Sequence, residues 1–303
     1  MNDIVATWLY SEKPPGTKQL FSRCLACAPM GSLRIGRKSF ERRHRSSVKA
    51  LLKLLENLPD RPSPDQIHDL RVAVRRIQVM RKLLPKDLRE YPDSKRFDLA
   101  LKSTMKATSQ LRDLDTLVET LGKQTLPAET TVNLQNQRSD FAATAREVMV
   151  SLAGTPAPRL HPSLIRGRRV SKRLRNRIRR QGRIAAALVQ QVATNESKVA
   201  ELHSLRKEVK KLRYLLELAG KGSPEVDVLT EWQESLGAIH DLDVAVVYLQ
   251  GKGPEFAKAI RNIQRIRHAR YLGFVNKRVH SQTNALTKSR ILAVGPESPA
   301  PPT

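Results

Sequence analysis

Ile67-His-Asp-Leu-Arg-Val-Ala-Val-Arg-Arg-Ile-Gln-Val-Met-Arg81 decides the fold class, because its apolar residues recur with the period of an α-helix. At about 100° per residue, Leu70, Val74, Ile77, Met80 and Leu84 share one side, and His68, Arg71, Arg75 and Lys82 gather within roughly 60° on the other. Such a helix buries the first face and presents a line of cations on the second. Leu202-His-Ser-Leu-Arg-Lys-Glu-Val-Lys-Lys-Leu-Arg-Tyr-Leu-Leu216 repeats the pattern without a gap. His68 meets His203, Arg71 meets Arg206, Val74 meets Val209, and Arg75-Arg76 meet Lys210-Lys211. Here His203, Arg206 and Lys210 form the stripe, and Leu205, Val209, Leu212 and Leu215 the buried side. A second pair of segments follows in the same order: Leu111-Arg-Asp-Leu-Asp115 is answered by Ile239-His-Asp-Leu-Asp243. Two independent matches identify an internal duplication.

Outward from these repeats nearly every segment has helical period. Gly and Pro cluster at Leu58 to Pro64, around Pro92, and at Gly122 to Pro127, Gly154 to Pro162 and Gly220 to Pro224, which reads as helices joined by loops. No alternating strand pattern stands out, so the expected fold class is all-α. Gly154 to Pro162 falls near the middle and reads as the linker between halves of about 33–153 and 165–285. Residues 1–32 read as an extension, and the Pro-rich end, 286–303, as a disordered tail.

The 303 residues are 40% hydrophobic, enough for a core, yet carry 55 Lys and Arg against 29 Asp and Glu, a net +26. Self-repulsion on that scale is relieved by bound anions, with nucleic acid, polyphosphate and an anionic membrane as the candidate partners. Nowhere do 18 apolar residues run together, so no membrane span is expected. Asp3, Glu12 and Arg23 interrupt the N-terminal region, which argues against a secretory signal. Cys24 and Cys27 have C-x-x-C spacing, but zinc wants four ligands and no second pair exists. They are read as incidental thiols of a cytoplasmic protein.

The charge pattern narrows the partner. Solvated helix faces usually mix Glu with Lys one turn apart. The first stripe has no acid, and the second only Glu217 at its far end. Stacked cations repel each other until an anion binds, so both stripes are predicted to bind anions. Between Arg166 and Arg183 stand ten Lys or Arg and no acid, with Val170, Leu174, Ile178, Ala185 and Leu188 on one helical face. Arg169, Arg173, Arg177 and Arg180 lie on the basic face. An opening helix carries Arg37, Lys38, Arg42, Arg43 and Arg45, and a late one Lys258, Arg261, Arg265, Arg267 and Arg270. Phosphate suits such surfaces, because Arg and Lys make charge-assisted hydrogen bonds to its oxygens. A His on a cationic stripe should have a lowered pKa that a bound phosphate raises again, so affinity should increase as pH falls toward 6.

The H-x-x-R-x-x-x-R/K-R/K helix, its repetition and the trailing R/H-D-L-D segments resemble the CHAD domain, a histidine-containing α-helical family, over roughly residues 33–285. The resemblance implies two pseudo-symmetric four-helix bundles packed around a central basic groove. It also implies binding of inorganic polyphosphate, as in known members, some of which associate with polyphosphate granules. By motif position the ligand-facing residues are His68, Arg71, Arg75, Arg76, His203, Arg206, Lys210, Lys211 and Arg213, with Tyr214 in the same motif. Lys82, Arg42, Arg45, Arg173, Arg177 and Arg180 are added from the charge pattern. Gln78 and Val79 stand where the second copy has Arg213 and Tyr214, so the first half should grip less tightly. The expected role is electrostatic capture without bond cleavage, with no cofactor and no metal.

Two other functions compete. Nucleic-acid binding meets the charge requirement, but single-strand binders stack bases on aromatics, and the 13 Phe, Trp and Tyr lie mostly off the stripes. Weak nonspecific binding is the expectation there. A metal-dependent phosphohydrolase could draw on His68-Asp69, His240-Asp241 and His203. The two His-Asp pairs, however, occupy different places in their repeats. Asp113 and Asp115, like Asp241 and Asp243, point about 200° apart on a helix, so orienting Arg or Lys side chains or capping a helix suits them better than holding a shared cation.

Overall fold

Ser63 starts the first motif helix. Its hydroxyl accepts the Gln66 amide, and the Gln66 side chain accepts the Ser63 amide, with Pro64 in the first turn. The computed structural model describes residues 34–220 and 224–276. Among them it has nine α-helices and no strand: α1 Arg37–Glu56, α2 Pro64–Arg81, α3 Lys86–Glu90, α4 Pro92–Leu121, α5 Ala128–Ala153, α6 Gly167–Val192, α7 Val199–Ala219, α8 Pro224–Gln250 and α9 Ala257–Phe274. Every Gly and Pro cluster named from the sequence falls at a helix boundary. The expected extension 1–32 with Cys24 and Cys27, and the tail 286–303, lie outside the described residues.

The apolar faces go where the periodicity puts them. Ile67, Leu70, Val74, Ile77 and Met80 of α2 are buried, as are Leu202, Leu205, Val209, Leu212 and Leu215 of α7. In α6, Val170, Leu174, Ile178 and Ala185 are buried, while Leu188 is only half-buried and Val189 and Val192 take the inner positions. Each buried Leu or Ile contributes about 1.5–3 kcal/mol, so these faces hold the bundle together. Neighbouring long helices pack in turn: α1 on α2, α2 on α4, α4 on α5, then α6 on α7, α7 on α8 and α8 on α9. The two sets join where α2 meets α7 and α4 meets α8. The motif helices α2 and α7 therefore touch each other, and the R/H-D-L-D segments of α4 and α8 lie beside them. No helix among the described residues is long and apolar enough to cross a membrane.

Candidate functional site

The junction of α2 and α7 gathers the two histidine-arginine stripes. Arg71 Nη1 donates to the Met105 carbonyl at 2.9 Å and to Thr108 Oγ1 at 2.8 Å, which lays its guanidinium along α4. Burial first, then the charge of Arg75, lowers its pKa to about 10. Arg206 from α7 passes over Gly237 of α8, and burial lowers its pKa against the pull of Asp241. Lys210 is the most perturbed cation of the group. Burial and then Arg75, Arg206, Arg71 and Arg213 push its amine down to about 7. The junction thus brings His68, Arg71, Arg75, His203, Arg206 and Lys210 together, as the stripes predict.

Four residues of this centre were not assigned to the site from sequence: Arg112, Asp113, His240 and Asp241. All lie in the repeated R/H-D-L-D segments, and that repetition is the signal that marks them. Asp113 has its pKa raised by burial, opposed by Arg71, Arg206, Arg112 and His203. Asp241 is likewise raised by burial and opposed first by Arg206. The histidine pairs are parallel. His68 lies near Arg112, and His203 lies against His240, the residue that aligns with Arg112. His68 and His203 both have lowered pKa values, as expected, although burial is the leading cause rather than the neighbouring cations.

The second carboxylate of each segment turns away from the centre. Asp115 accepts Arg138 Nε, and Arg138 Nη2 also donates to the Pro62 carbonyl at 2.8 Å. Asp243 accepts Arg267 Nε at 2.7 Å, with Glu196 taking a second nitrogen of the same guanidinium. The angular separation on each helix thus gives the two aspartates separate tasks. Arg267 is consequently no part of a basic surface: it is buried and held by two carboxylates, which corrects its place in the late basic helix.

The remaining predicted residues divide into smaller groups. Arg173 Nη1 donates to the Leu83 carbonyl at 3.1 Å and Arg177 Nη2 to the Lys82 carbonyl at 3.2 Å, satisfying acceptors at the end of α2. Lys82, just beyond that end, has its pKa lowered by partial desolvation of its amine and then by Arg177 and Lys211, and Arg177 has its own lowered by burial and then by Arg89, Arg180 and Arg173. Lys82, Lys211, Arg173, Arg177 and Arg180 form a second cluster with Arg89, in which Lys211 also pairs with Glu208. Arg42 and Arg76 line a cavity with Tyr214, and Arg76 Nε lies 3.7 Å from Glu217 Oε2. Arg45 is exposed and pairs with Glu41 on its own helix, one turn away.

Arg213 and Tyr214 stand at the edge of the junction, Arg213 near Lys210 and Tyr214 near Arg71, and each has further neighbours of its own. Arg213 donates through Nε to Gln233 Oε1 at 3.0 Å, pairs with Glu217, and lies 4.6 Å over the Tyr214 ring. Tyr214 is only 3% exposed, and its hydroxyl has no hydrogen-bond partner among the described residues. Tyr214 lines a cavity beside α1 and also lies close enough to Arg71 to act on its charge, so it stands between that cavity and the cationic junction. No group of three or more His, Cys, Asp or Glu among the described residues is close enough to hold a metal ion.

Fold and site define an all-helical protein that concentrates arginine, lysine and histidine where two like helices meet. The CHAD domain model matches residues 44–250, and the chain belongs to the CHAD domain family. The match ends before α9, short of the 33–285 span expected from the motifs. The crystal structure of the CHAD domain from the plant Ricinus communis is similar in fold, with a TM-score of 0.50 at 18% sequence identity, covering 89% of this chain and 92% of that chain. No curated protein matches the sequence.

Proposed function

We propose that this protein holds inorganic polyphosphate at the junction of α2 and α7, as a binding domain that does not cleave its ligand. In this reading the chain is two duplicated halves, each of four long helices, and the groove lies between them. One observation carries it: Lys210, crowded by Arg71, Arg75, Arg206 and Arg213, has its amine pushed down to about 7. A cation so depressed is stabilised by an anion placed among it and its neighbours. A polyanion suits the arrangement better than a single phosphate, because a second cluster of Lys82, Lys211, Arg173, Arg177 and Arg180 stands near the end of α2. His68 and Lys82 are about 21 Å apart along a helix, a span that one orthophosphate cannot cover. Polyphosphate deposits in the cytoplasm, such as granules, would be where such a protein resides.

The test is a calorimetric titration with long-chain polyphosphate and with single-stranded DNA at about 150 mM salt. Tight binding to polyphosphate with much weaker binding to DNA supports the reading. Equal or stronger binding to DNA would transfer the basic junction to nucleic acid.

A further inference from the structure

Beside the cationic junction lies a cavity of about 660 Å³, formed by α1, the C-terminal half of α2 and the end of α7. Its walls do not suit a ligand that is charged throughout. Val79, Met80 and Leu218 contribute apolar surface, and the Tyr214 ring joins them. Glu217 contributes a carboxylate, of which Oε1 is held by Arg213 and Oε2 lies 3.7 Å from Arg76 Nε without a hydrogen bond. At the α1 side the character changes. Arg42 and Ser46, one helical turn apart, line the cavity, and neither has a side-chain hydrogen bond or ion pair among the described residues. Arg43 is held by the Leu218 carbonyl at 2.6 Å, which fixes α1 against the end of α7 and keeps the cavity's shape.

We infer that this cavity binds a small phosphate ester with a flat, amine-bearing body, the chemistry of a mononucleotide. The phosphate sits between Arg42 and the Ser46 hydroxyl. The body lies on Val79, Met80 and Leu218, and an amino group of the body donates to Glu217 Oε2, the oxygen that Arg213 does not take. The volume agrees, since ligand pockets commonly measure roughly 300–1,000 Å³ and pair an apolar lining with a few placed polar groups. Pyrophosphate would fill only the anionic end. Arg76 lines this cavity and follows Arg75 of the stripe in sequence, so a bound ester competes locally with a polyanion. The site itself does not depend on the polyphosphate reading.

The experiment titrates the full chain with adenosine monophosphate and, separately, with pyrophosphate. Two variants are compared with the parent protein: Ser46→Leu, an exposed position where a larger side chain enters the cavity mouth, and Glu217→Gln, which keeps shape and removes the acceptor's charge. Saturable binding of the nucleotide is expected, weakened about tenfold by Ser46→Leu and several-fold by Glu217→Gln, with pyrophosphate binding changed less than twofold by Glu217→Gln. No nucleotide binding, or nucleotide affinity unchanged in Ser46→Leu, overturns the proposal. So does pyrophosphate binding as tightly as the nucleotide, which would make the cavity an anion subsite only. Polyphosphate titration of Ser46→Leu separates the two readings: loss of nucleotide with polyphosphate affinity retained assigns them to different sites. If the parent protein binds the nucleotide but not polyphosphate, only the function proposed above fails.

Discussion

His203 and His240 meet Nδ1 to Nδ1 at 3.1 Å, with ring centroids 4.4 Å apart. One nitrogen must donate and the other accept, so a second proton would set two N–H groups against each other. Burial, then Arg206, His203 and Lys207, holds His240 down to about 4. His44, buried in α1, is also lowered to about 4, by burial and then Arg81. In the unfolded chain these histidines titrate near about 6.5. Below that pH the unfolded chain takes up protons that the fold refuses, so stability falls as pH drops from about 6.5 toward 4. His44 alone accounts for a loss on the order of 3 kcal/mol at the bottom of that window. Urea midpoints measured between pH 7 and 5 should decline steadily, and a His44→Leu variant should flatten part of the decline. A midpoint constant over that range would refute the assignment.

Bound polyanion should change the titration of Lys210 in the opposite sense. The free amine, lowered to about 7, is half neutral near that pH, and an anion beside it raises the pKa again. Binding at pH 7 to 8 should therefore take up protons, and affinity should weaken as pH rises above about 7. Calorimetry in buffers of different ionisation enthalpy measures the uptake directly. Lys210→Arg, which stays charged, should bind well and lose most of that uptake.

Asp113 stands where a phosphate would be welcome, facing Arg71, Arg206 and Arg112. As a fixed anion it competes with the ligand for the same guanidinium groups. Asp113→Asn should then tighten polyphosphate binding by roughly three- to tenfold, an effect of about 1 kcal/mol. If the variant binds more weakly, the carboxylate serves chiefly to orient the arginines, and the competition argument fails.

The sequence made the helices, their apolar faces and the pairing of the stripes legible, because each rests on periodicity that α2 and α7 obey residue by residue. Two joints lie outside the Gly and Pro clusters named from the sequence, one because it has neither residue and one, Gly251-Lys-Gly-Pro254, although its signal is strong. Between α6 and α7, Asn195 turns the chain by accepting the Ser197 amide at 2.9 Å, without any Gly or Pro. Between α8 and α9, Gly253 adopts φ 145°, a backbone state that favours glycine, within a short Gly-Lys-Gly run. The site was legible only in outline. Spacing shows which face a side chain occupies, not which neighbour takes its hydrogen bonds. Arg213 and Arg267 looked like exposed cations until Gln233, Asp243 and the glutamates Glu196 and Glu217 were placed beside them. Asp113 and Asp241 stood out as parts of the repeat, but which arginines they face depends on the helix packed across from them.

Arg138 and Arg267 hold the second aspartates of the two segments, and their loss should be structural. The Asp115 side chain is fully buried, so Arg138→Ala leaves a carboxylate without its partner. The expected cost is about 3–5 kcal/mol, read from urea denaturation. Arg267→Ala should behave alike, moderated by the greater exposure of its partners Asp243 and Glu196. Under conditions where either variant remains folded, polyphosphate affinity should be close to that of the parent. A folded variant with strongly reduced affinity would show that these arginines belong to the binding surface after all.

Arg71 and Arg75 separate anchoring from binding on the same stripe. Arg71 is hydrogen-bonded to Met105 and Thr108, whereas neither Arg75 nor Lys210 has a side-chain hydrogen bond or ion pair among the described residues. Arg71→Ala removes both hydrogen bonds that Nη1 donates to α4, and its stability cost should be about 1–3 kcal/mol. Replacing Arg75 and Lys210 together by Ala should leave stability equal or improved, because two crowded cations disappear. Polyphosphate affinity should nevertheless fall. Each cation that meets a phosphate releases counterions, so log affinity against log salt should lose about 1.5 in slope for the pair, taking single-strand values as the guide. The check is binding measured over a salt series for the double variant and for Arg71→Ala. An unchanged slope in the double variant would mean that the junction of α2 and α7 does not contact the ligand, and the path of the polyanion would have to be sought at Lys82, Lys211 and Arg180.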